Sequence, residues 1–220
     1  MKKNKIMKKL ISVIVVVLTF VSTVAQNQED PKLLLDRVSK KMNSYENVFV
    51  EFEYVLDNKS EDVQQEMSGD VLLQGEKYVV NLFGTKQIFD GSKTFTIIPE
   101  NEEVNISRAD IDSDNTFTPS KFYSFYKKGY TFKLDELKKI KGKQIRFVKL
   151  IPIDTNSEVK SIFVGIDLKD EHIYQIIENG KNGTDTILTA ENIITNQKFK
   201  EDQFLFDEKK YTDLNYIINN

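Results

Sequence analysis

The stretch "QIFDGSKTFTIIPE", residues 87–100, reads as a β-hairpin. Asp90-Gly91 supplies the positive-φ positions of a tight turn, and β-forming residues flank it on both sides. Beyond the turn, Phe95 and Ile97 alternate with Thr94 and Thr96, which leaves one face of the strand apolar and the other free to be wet. Upstream, "EKYVVNLFG" places Tyr78, Val80 and Leu82 on one side and Val79 and Phe83 on the other. A sheet with this much apolar surface encloses its own core, or a ligand as well.

Working outward, the period of two recurs along most of the chain. In "VFVEFEYV", Val48, Val50, Phe52 and Tyr54 alternate with Phe49, Glu51 and Glu53. "GDVLLQG", "KYVVNLF", "KQIFD" and "TFTIIP" follow as short strands separated by Gly or Asp-Gly turns. After a polar stretch, "NEEVNISRADIDSDN", expected as a long loop, strands return with "YTFKLDEL", "KQIRFVKLIP", "KSIFVGIDL", "HIYQIIEN", "DTILTAENI" and "QFLFD".

Two segments have the helical period instead. In "EDPKLLLDRVSKKMNSYENV", Asp30 is a cap, Pro31 takes the first helical position, and Leu35, Val38, Met42 and Tyr45 form one apolar stripe. "TPSKFYSFYKKG" is expected as a second helix, with Thr118 as cap, Pro119 at its start, Gly129 past its end, and Phe122, Phe125 and Tyr126 on one face. The expected fold class is therefore mainly β (α+β). About ten antiparallel strands curl into a full or incomplete barrel, because sheets this wide seldom stay flat, and two short helices close a mouth or plug the inside.

The chain opens on a three-part export signal: basic "MKKNKIMKK", apolar "LISVIVVVLTFV", and "STVA", with the small residues Thr23 and Ala25 before a cleavage site. Residues 1–25 are expected to be a signal peptide cleaved after Ala25, and residues 26–220 one domain. Those first residues carry five lysines, so cleavage takes the formal charge from −3 to −8. An acidic domain without a basic stripe excludes nucleic acid as a partner. The sequence has no cysteine, so the export signal offers no thiol for lipidation and the fold no disulfide. A soluble periplasmic protein is expected.

The chemistry of catalysis is sparse. His172 is the one histidine, at the head of a strand after a Lys-Asp turn, and reads as a solvated imidazole. Phosphate-binding Gly-rich loops, dinucleotide fingerprints and Gly-x-Ser-x-Gly elbows are missing from the sequence. "DIDSDN" at 110–115 imitates a calcium loop, but its sixth position is Asn115 instead of Gly and its twelfth Lys121 instead of Glu. The expectation is a non-enzyme without cofactor or metal. The aromatic surplus, fifteen Phe and nine Tyr, is the stronger signal. A large apolar cavity under movable helices suits a carrier of hydrophobic ligands.

Four stretches resemble a known family, the periplasmic outer-membrane lipoprotein carrier proteins (LolA). "LLLDRVSKKMNSYENVFVEFEY" resembles its opening helix, "-S-aromatic-" turn and "F-x-Q" strand. "GDVLLQGEKYVVNL … IFDGSKTFTIIP" resembles its "G-x-L-x" strand and "D-G-K-T-x-W-x-Y-x-P" hairpin, with Phe95 and Ile97 at the two aromatic positions. "TPSKFYSF" resembles its lid helix, and "FLFDE" its closing strand.

The resemblance implies an incomplete barrel lidded by helices, and a monomer that takes the acyl chains of lipoproteins from an inner-membrane ABC transporter to an outer-membrane acceptor. It also exposes a departure. The proteobacterial carriers have an Arg whose donors hold the lid closed through backbone carbonyls, and here that position falls on Gln74 or Gly75. An envelope sensor or regulator of similar fold, binding a partner protein or free lipid, is the alternative. Acyl chains are expected against Phe52, Tyr54, Tyr78, Val80, Leu82, Phe95 and Ile97 on strands, and Phe122, Phe125 and Tyr126 on the second helix. Shared strand parity and shared helical face select these residues.

Overall fold

The computed structural model describes residues 29–108 and 119–219. The export signal, the 110–115 loop and the Thr118 cap lie outside the described residues.

Helix α1 (Pro31–Met42) begins as its sequence dictates. Asp30 Oδ1 accepts from the backbone N–H of Lys32 at 2.8 Å and of Leu33 at 3.3 Å, and Pro31 fills a position whose N–H would have no helical partner. Leu34, Leu35, Val38 and Met42 are buried, a broader stripe than the spacing of Leu35, Val38 and Met42 alone indicates.

Among the described residues, twelve strands form a single curled sheet that does not close into a barrel. The first meander comprises β1 (Val48–Asn58), β2 (Val63–Gln74), β3 (Lys77–Leu82), β4 (Thr85–Phe89), β5 (Lys93–Ile98) and β6 (Glu103–Arg108). The second comprises β7 (Tyr130–Ile140), β8 (Lys143–Pro152), β9 (Val159–Asp167), β10 (His172–Gly180) and β11 (Thr184–Thr195). Strand β1 pairs with both β2 and β11 and so joins the two meanders. At one edge, β12 (Ile217–Asn219) adds in parallel to β6, after a short helix α2 (Glu208–Asp213). At the other edge lies β7, whose register with β8 slips between Leu134 and Leu137. There Arg146 reaches across to donate from Nη1 to the Asp135 carbonyl at 3.2 Å.

The inner face of the sheet is covered, and so is the outer face of the first meander. On the inner face, α1 and residues 119–130 pack over Val48, Val50, Phe52, Val148, Leu150, Ile162, Val164 and Ile166. On the outer face of the first meander, Leu72, Val79, Ile88, Phe95, Ile97 and Val104 pack against Phe204, Phe206 and Tyr211 of the C-terminal segment. A smaller outer cluster under the second meander holds Ile145, Phe147 and Tyr174.

Several expectations need correcting. Residues 119–129 are not an α-helix but two 3-10 turns, Pro119–Lys121 and Phe125–Lys127. Their bonds span three residues, from Phe122 N–H to Pro119 O and from Lys127 N–H to Ser124 O. Four aromatic residues stand at 122, 123, 125 and 126, and adjacent rings diverge by about 100° on an α-helix, so one helical face cannot bury them all. Within the expected polar loop, Glu103–Arg108 is strand β6, with Val104 fully buried and Ile106 opposite Phe95. "QFLFD" is a 3-10 turn, Glu201–Phe204, running into extended chain instead of a strand. At the 87–100 hairpin, Gly91 alone takes a positive φ, +102°. Asp90 contributes through its side chain, which accepts from the Ser92 and Lys93 N–H groups at 2.8 Å each.

Gly69 has a packing reason to be glycine. It faces Phe52 across the β1–β2 ladder, and a Cβ there would lie 2.7 Å from Phe52 Cζ and 2.8 Å from the Asn81 carbonyl oxygen. Gly69→Ala should destabilise the fold by about 1–3 kcal/mol through overpacking, read as a lower urea midpoint at unchanged slope. Phe52→Leu combined with Gly69→Ala should recover part of that loss.

Candidate functional site

The inner face of the sheet is where strand parity and the 119–130 segment converge. Phe52 is buried over Gly69. Tyr54, two residues on, is half-buried and meets the ring of Phe83 edge-on at 5.4 Å. Phe83 itself is 58 % exposed and sits at a φ of +54°, in the β3–β4 turn. Tyr78 is buried against Phe89 at 5.3 Å, while Val80 and Leu82 are half-buried on the same side. Phe122, Phe125 and Tyr126 reach this face from above. Eight of the ten residues singled out by sequence therefore share one face.

Phe95 and Ile97 do not. The register pairs Tyr78 with Phe89 and Phe89 with Thr94, so Thr94 and Thr96 point inward from β5. Phe95 lies on the outer face, stacked on Phe206 with ring centroids 4.6 Å apart, and Ile97 is buried in the same cluster. Their common face with Tyr78 and Val80 is thereby corrected. Both faces of the first meander are buried, so alternation alone did not distinguish them.

Aromatic packing and a polar latch to α1 help tie down the segment over the inner face. Tyr126 donates its hydroxyl to Asp36 Oδ1 of α1 at 2.9 Å, and Asp36 Oδ2 accepts from Lys32 Nζ at 2.7 Å. The Lys32 bond holds the Asp36 carboxyl below its ordinary value, with the Tyr126 bond adding to it. Burial pushes the Tyr126 phenol up to about 12, so it remains a donor at any physiological pH. Tyr126 is also edge-on to Phe125 and Phe132, and Phe125 to Tyr130. Burial raises the pKa of Tyr123 as well, which packs beneath the segment against both the main inner cluster and the Tyr78 cluster. Gln74 and Gly75, the positions where the family resemblance places a locking Arg, have no part in this latch.

Beside the segment an open cleft of about 840 Å³ remains. Phe122, Phe125 and Tyr130 form one wall, with Lys121, Lys127 and Lys128 at its mouth. Ile162 of β9 and Ile176 and Glu178 of β10 form the other side. The volume lies within the range of about 300–1,000 Å³ typical of small-molecule sites. Sequence reasoning found Phe122 and Phe125 but missed Ile162, Ile176 and Glu178. Their signal was present, since Ile162 and Ile176 belong to alternating strands, yet nothing in one strand's pattern marks which face meets a lid.

His172 is not the solvated imidazole expected. It is half-buried, 3.0 Å from the Tyr45 hydroxyl, with its ring edge-on to that tyrosine. Burial first, and then Lys41, lower its pKa below 6.5. Among the described residues no group of three or more His, Cys, Asp or Glu side chains could hold a metal ion.

No family model matches the sequence, and no curated protein matches it in sequence. Solved structures do match in three dimensions. An uncharacterized conserved protein from Thermus thermophilus aligns with a TM-score of 0.53 at 10 % identity, over 85 % of this chain and 96 % of that one. These are likenesses of fold. A LolA superfamily protein from Nitrosomonas europaea aligns at 0.43 and 11 % identity, over 80 % of this chain and 98 % of its own. The lipoprotein LppX from Mycobacterium tuberculosis aligns at 0.46 and 15 % identity, over 78 % and 99 %.

Two outcomes follow from the geometry. Tyr126→Phe keeps the ring and removes the latch, which should lower stability by about 1–2 kcal/mol. It should also speed amide exchange in residues 119–130 more than in β8 or β9. A histidine with a depressed folded pKa contributes stability that is present above 6.5 and lost as pH falls through the folded value. The wild-type melting temperature should therefore drop on acidification below that point, and His172→Gln should flatten that part of the profile.

Proposed function

We propose that this protein binds the acyl chains of lipoproteins under the 119–130 segment and carries them across the periplasm. Donation by an inner-membrane ABC transporter and delivery to an outer-membrane acceptor belong to the same proposal, as does action as a monomer. The observation that carries it is the open cleft between Phe122, Phe125 and Tyr130 on one side and Ile162 and Ile176 on the other. Its walls belong to the same apolar inner-face cluster as Phe52, Tyr54, Leu82 and Tyr126.

The energetics suit a shuttle. Each buried CH₂ gains about 0.8 kcal/mol, so acyl chains leave a membrane for water only if a protein offers comparable apolar cover. In this protein the cover is already occupied by its own aromatic rings. Cargo must displace Phe122 and Phe125 from part of the inner face, which limits the net gain and keeps release possible. The Asp36–Tyr126 latch adds to the cost of lifting the segment.

The test is what the native protein carries. Purified from an envelope fraction without detergent, it should co-elute with acylated polypeptide detectable by intact mass. A photo-crosslinking side chain at Phe125 should capture that cargo, whereas one at Thr131, on the exposed side of β7, should not. Phe125→Glu should cut cargo recovery several-fold while lowering stability by less than about 2 kcal/mol, since a half-buried rim position lets the new carboxylate reach water. Recovery of a membrane-anchored protein with no acyl cargo would favour the sensor reading and overturn the carrier.

A further inference from the structure

Glu178 is out of place in the cleft. It lies on β10, directly opposite Ile162 on β9 and two residues from Ile176, so it projects from an apolar wall. Its neighbours on the outer face satisfy one another: Asn179 Nδ2 donates to Asp185 Oδ1 at 2.7 Å, and Ser161 Oγ donates to Asn179 Oδ1 at 3.1 Å. Among the described residues no side-chain hydrogen bond or ion pair reaches the Glu178 carboxylate. The nearby Tyr130 phenol is raised by burial first and then by the charge of Glu178. Burial in turn raises Glu178 itself.

A half-buried carboxylate without a donor costs stability, and the cost falls away when something entering the cleft supplies the donor. The lysines at the mouth do not supply it. Lys127 is exposed and acts on Asp36, and Lys121 stands at the rim, where water screens it. Their charges meet a ligand on approach, whereas Glu178 meets the part that enters.

We propose that Glu178 selects the ligand of this cleft, favouring an apolar chain whose polar junction carries an N–H donor, an amide or an ammonium, over a chain that ends in a carboxylate. The inference rests on the acyl-binding reading and narrows it. An N-acylated polypeptide terminus presents an amide N–H at the root of its chain, and an aminolipid presents an ammonium. A free fatty acid presents a second anion, which Glu178 repels at short range.

Competition against a fluorescent alkyl probe, with three single-chain ligands below their micellar concentrations, tests this: N-dodecylacetamide, dodecylammonium and dodecanoate. The wild type should bind the first two about tenfold or more tighter than the third, since both can donate a hydrogen bond to the carboxylate and the third cannot. Glu178→Gln keeps an acceptor oxygen but no charge, so it should retain the amide, weaken the ammonium and admit dodecanoate. Glu178→Leu should bind all three within about threefold, the ranking having lost its electrostatic basis. Amide ahead of ammonium in the wild type would point to an acylated polypeptide, and the reverse order to an aminolipid. Equal wild-type affinities, or a ranking unchanged in both variants, would overturn the role of Glu178 while leaving acyl binding intact. Failure of all three ligands to displace the probe from any variant would overturn acyl binding and this inference together.

Discussion

The pairing of β1 with β11 holds the two meanders in one sheet, and a buried asparagine fastens it. Asn47, just before β1, donates from Nδ2 to the Gln197 carbonyl at 2.9 Å and accepts from the Gln197 N–H at 2.8 Å, across 150 residues of chain. Beside it, the Asn196 side chain accepts from the Glu46 N–H at 2.8 Å, and Asn196 N–H donates to the Asn47 carbonyl at 3.0 Å. With that clasp closed, Val48, Val50 and Phe52 are set over the middle of the inner face, where α1 and the 119–130 segment find them. The closure entropy of so long a loop has to be met before these contacts form, which makes β1–β11 pairing the expected slow step of folding.

Much of this architecture was legible in the chain. Asp30-Pro31 announced α1, and period-two runs announced the core of all the strands except β6 and β12. Beyond those runs, information thinned for identifiable reasons. Glu103–Arg108 has only Val104 and Ile106 as apolar residues, flanked by acids, and its strand character comes from β5 and β12 on either side. The 3-10 turns at 119–127 arise because adjacent aromatic residues need burial in different directions, and a helical periodicity written over them hides that demand.

The site was half legible for one physical reason. Parity says which residues share a face, not which face the lid will cover. On β3 the neighbours Tyr78 and Val79 are equally buried, one against Phe89 on the inner side and the other in the outer cluster beneath Phe204. A strand buried on both faces loses the alternation that would orient it. Phe95 and Ile97 therefore alternate as their sequence shows, yet share the outer face with Val79 and Ile88 instead of the inner face with Tyr78. Phe122, Phe125 and Tyr126 survived the loss of their helix because all three are apolar enough to be buried by either geometry.

The slip in register between Leu134 and Leu137 has a consequence for how this protein behaves in company. An open sheet presents a row of unpaired backbone groups at each end, and an unbroken edge eleven residues long would template the addition of another chain. Here the edge at one end is broken, since the three-residue β12 covers Glu103 to Asn105 of β6. At the other, the bulge turns Asp135 and Glu136 out of the ladder, and Arg146 occupies the Asp135 carbonyl. Lys133, Lys138 and Lys139 add charge to the same rim, Lys138 pairing with Glu136 at 2.6 Å. An incoming strand therefore finds few free backbone partners along this rim, whereas the cleft beside residues 119–130 stays open.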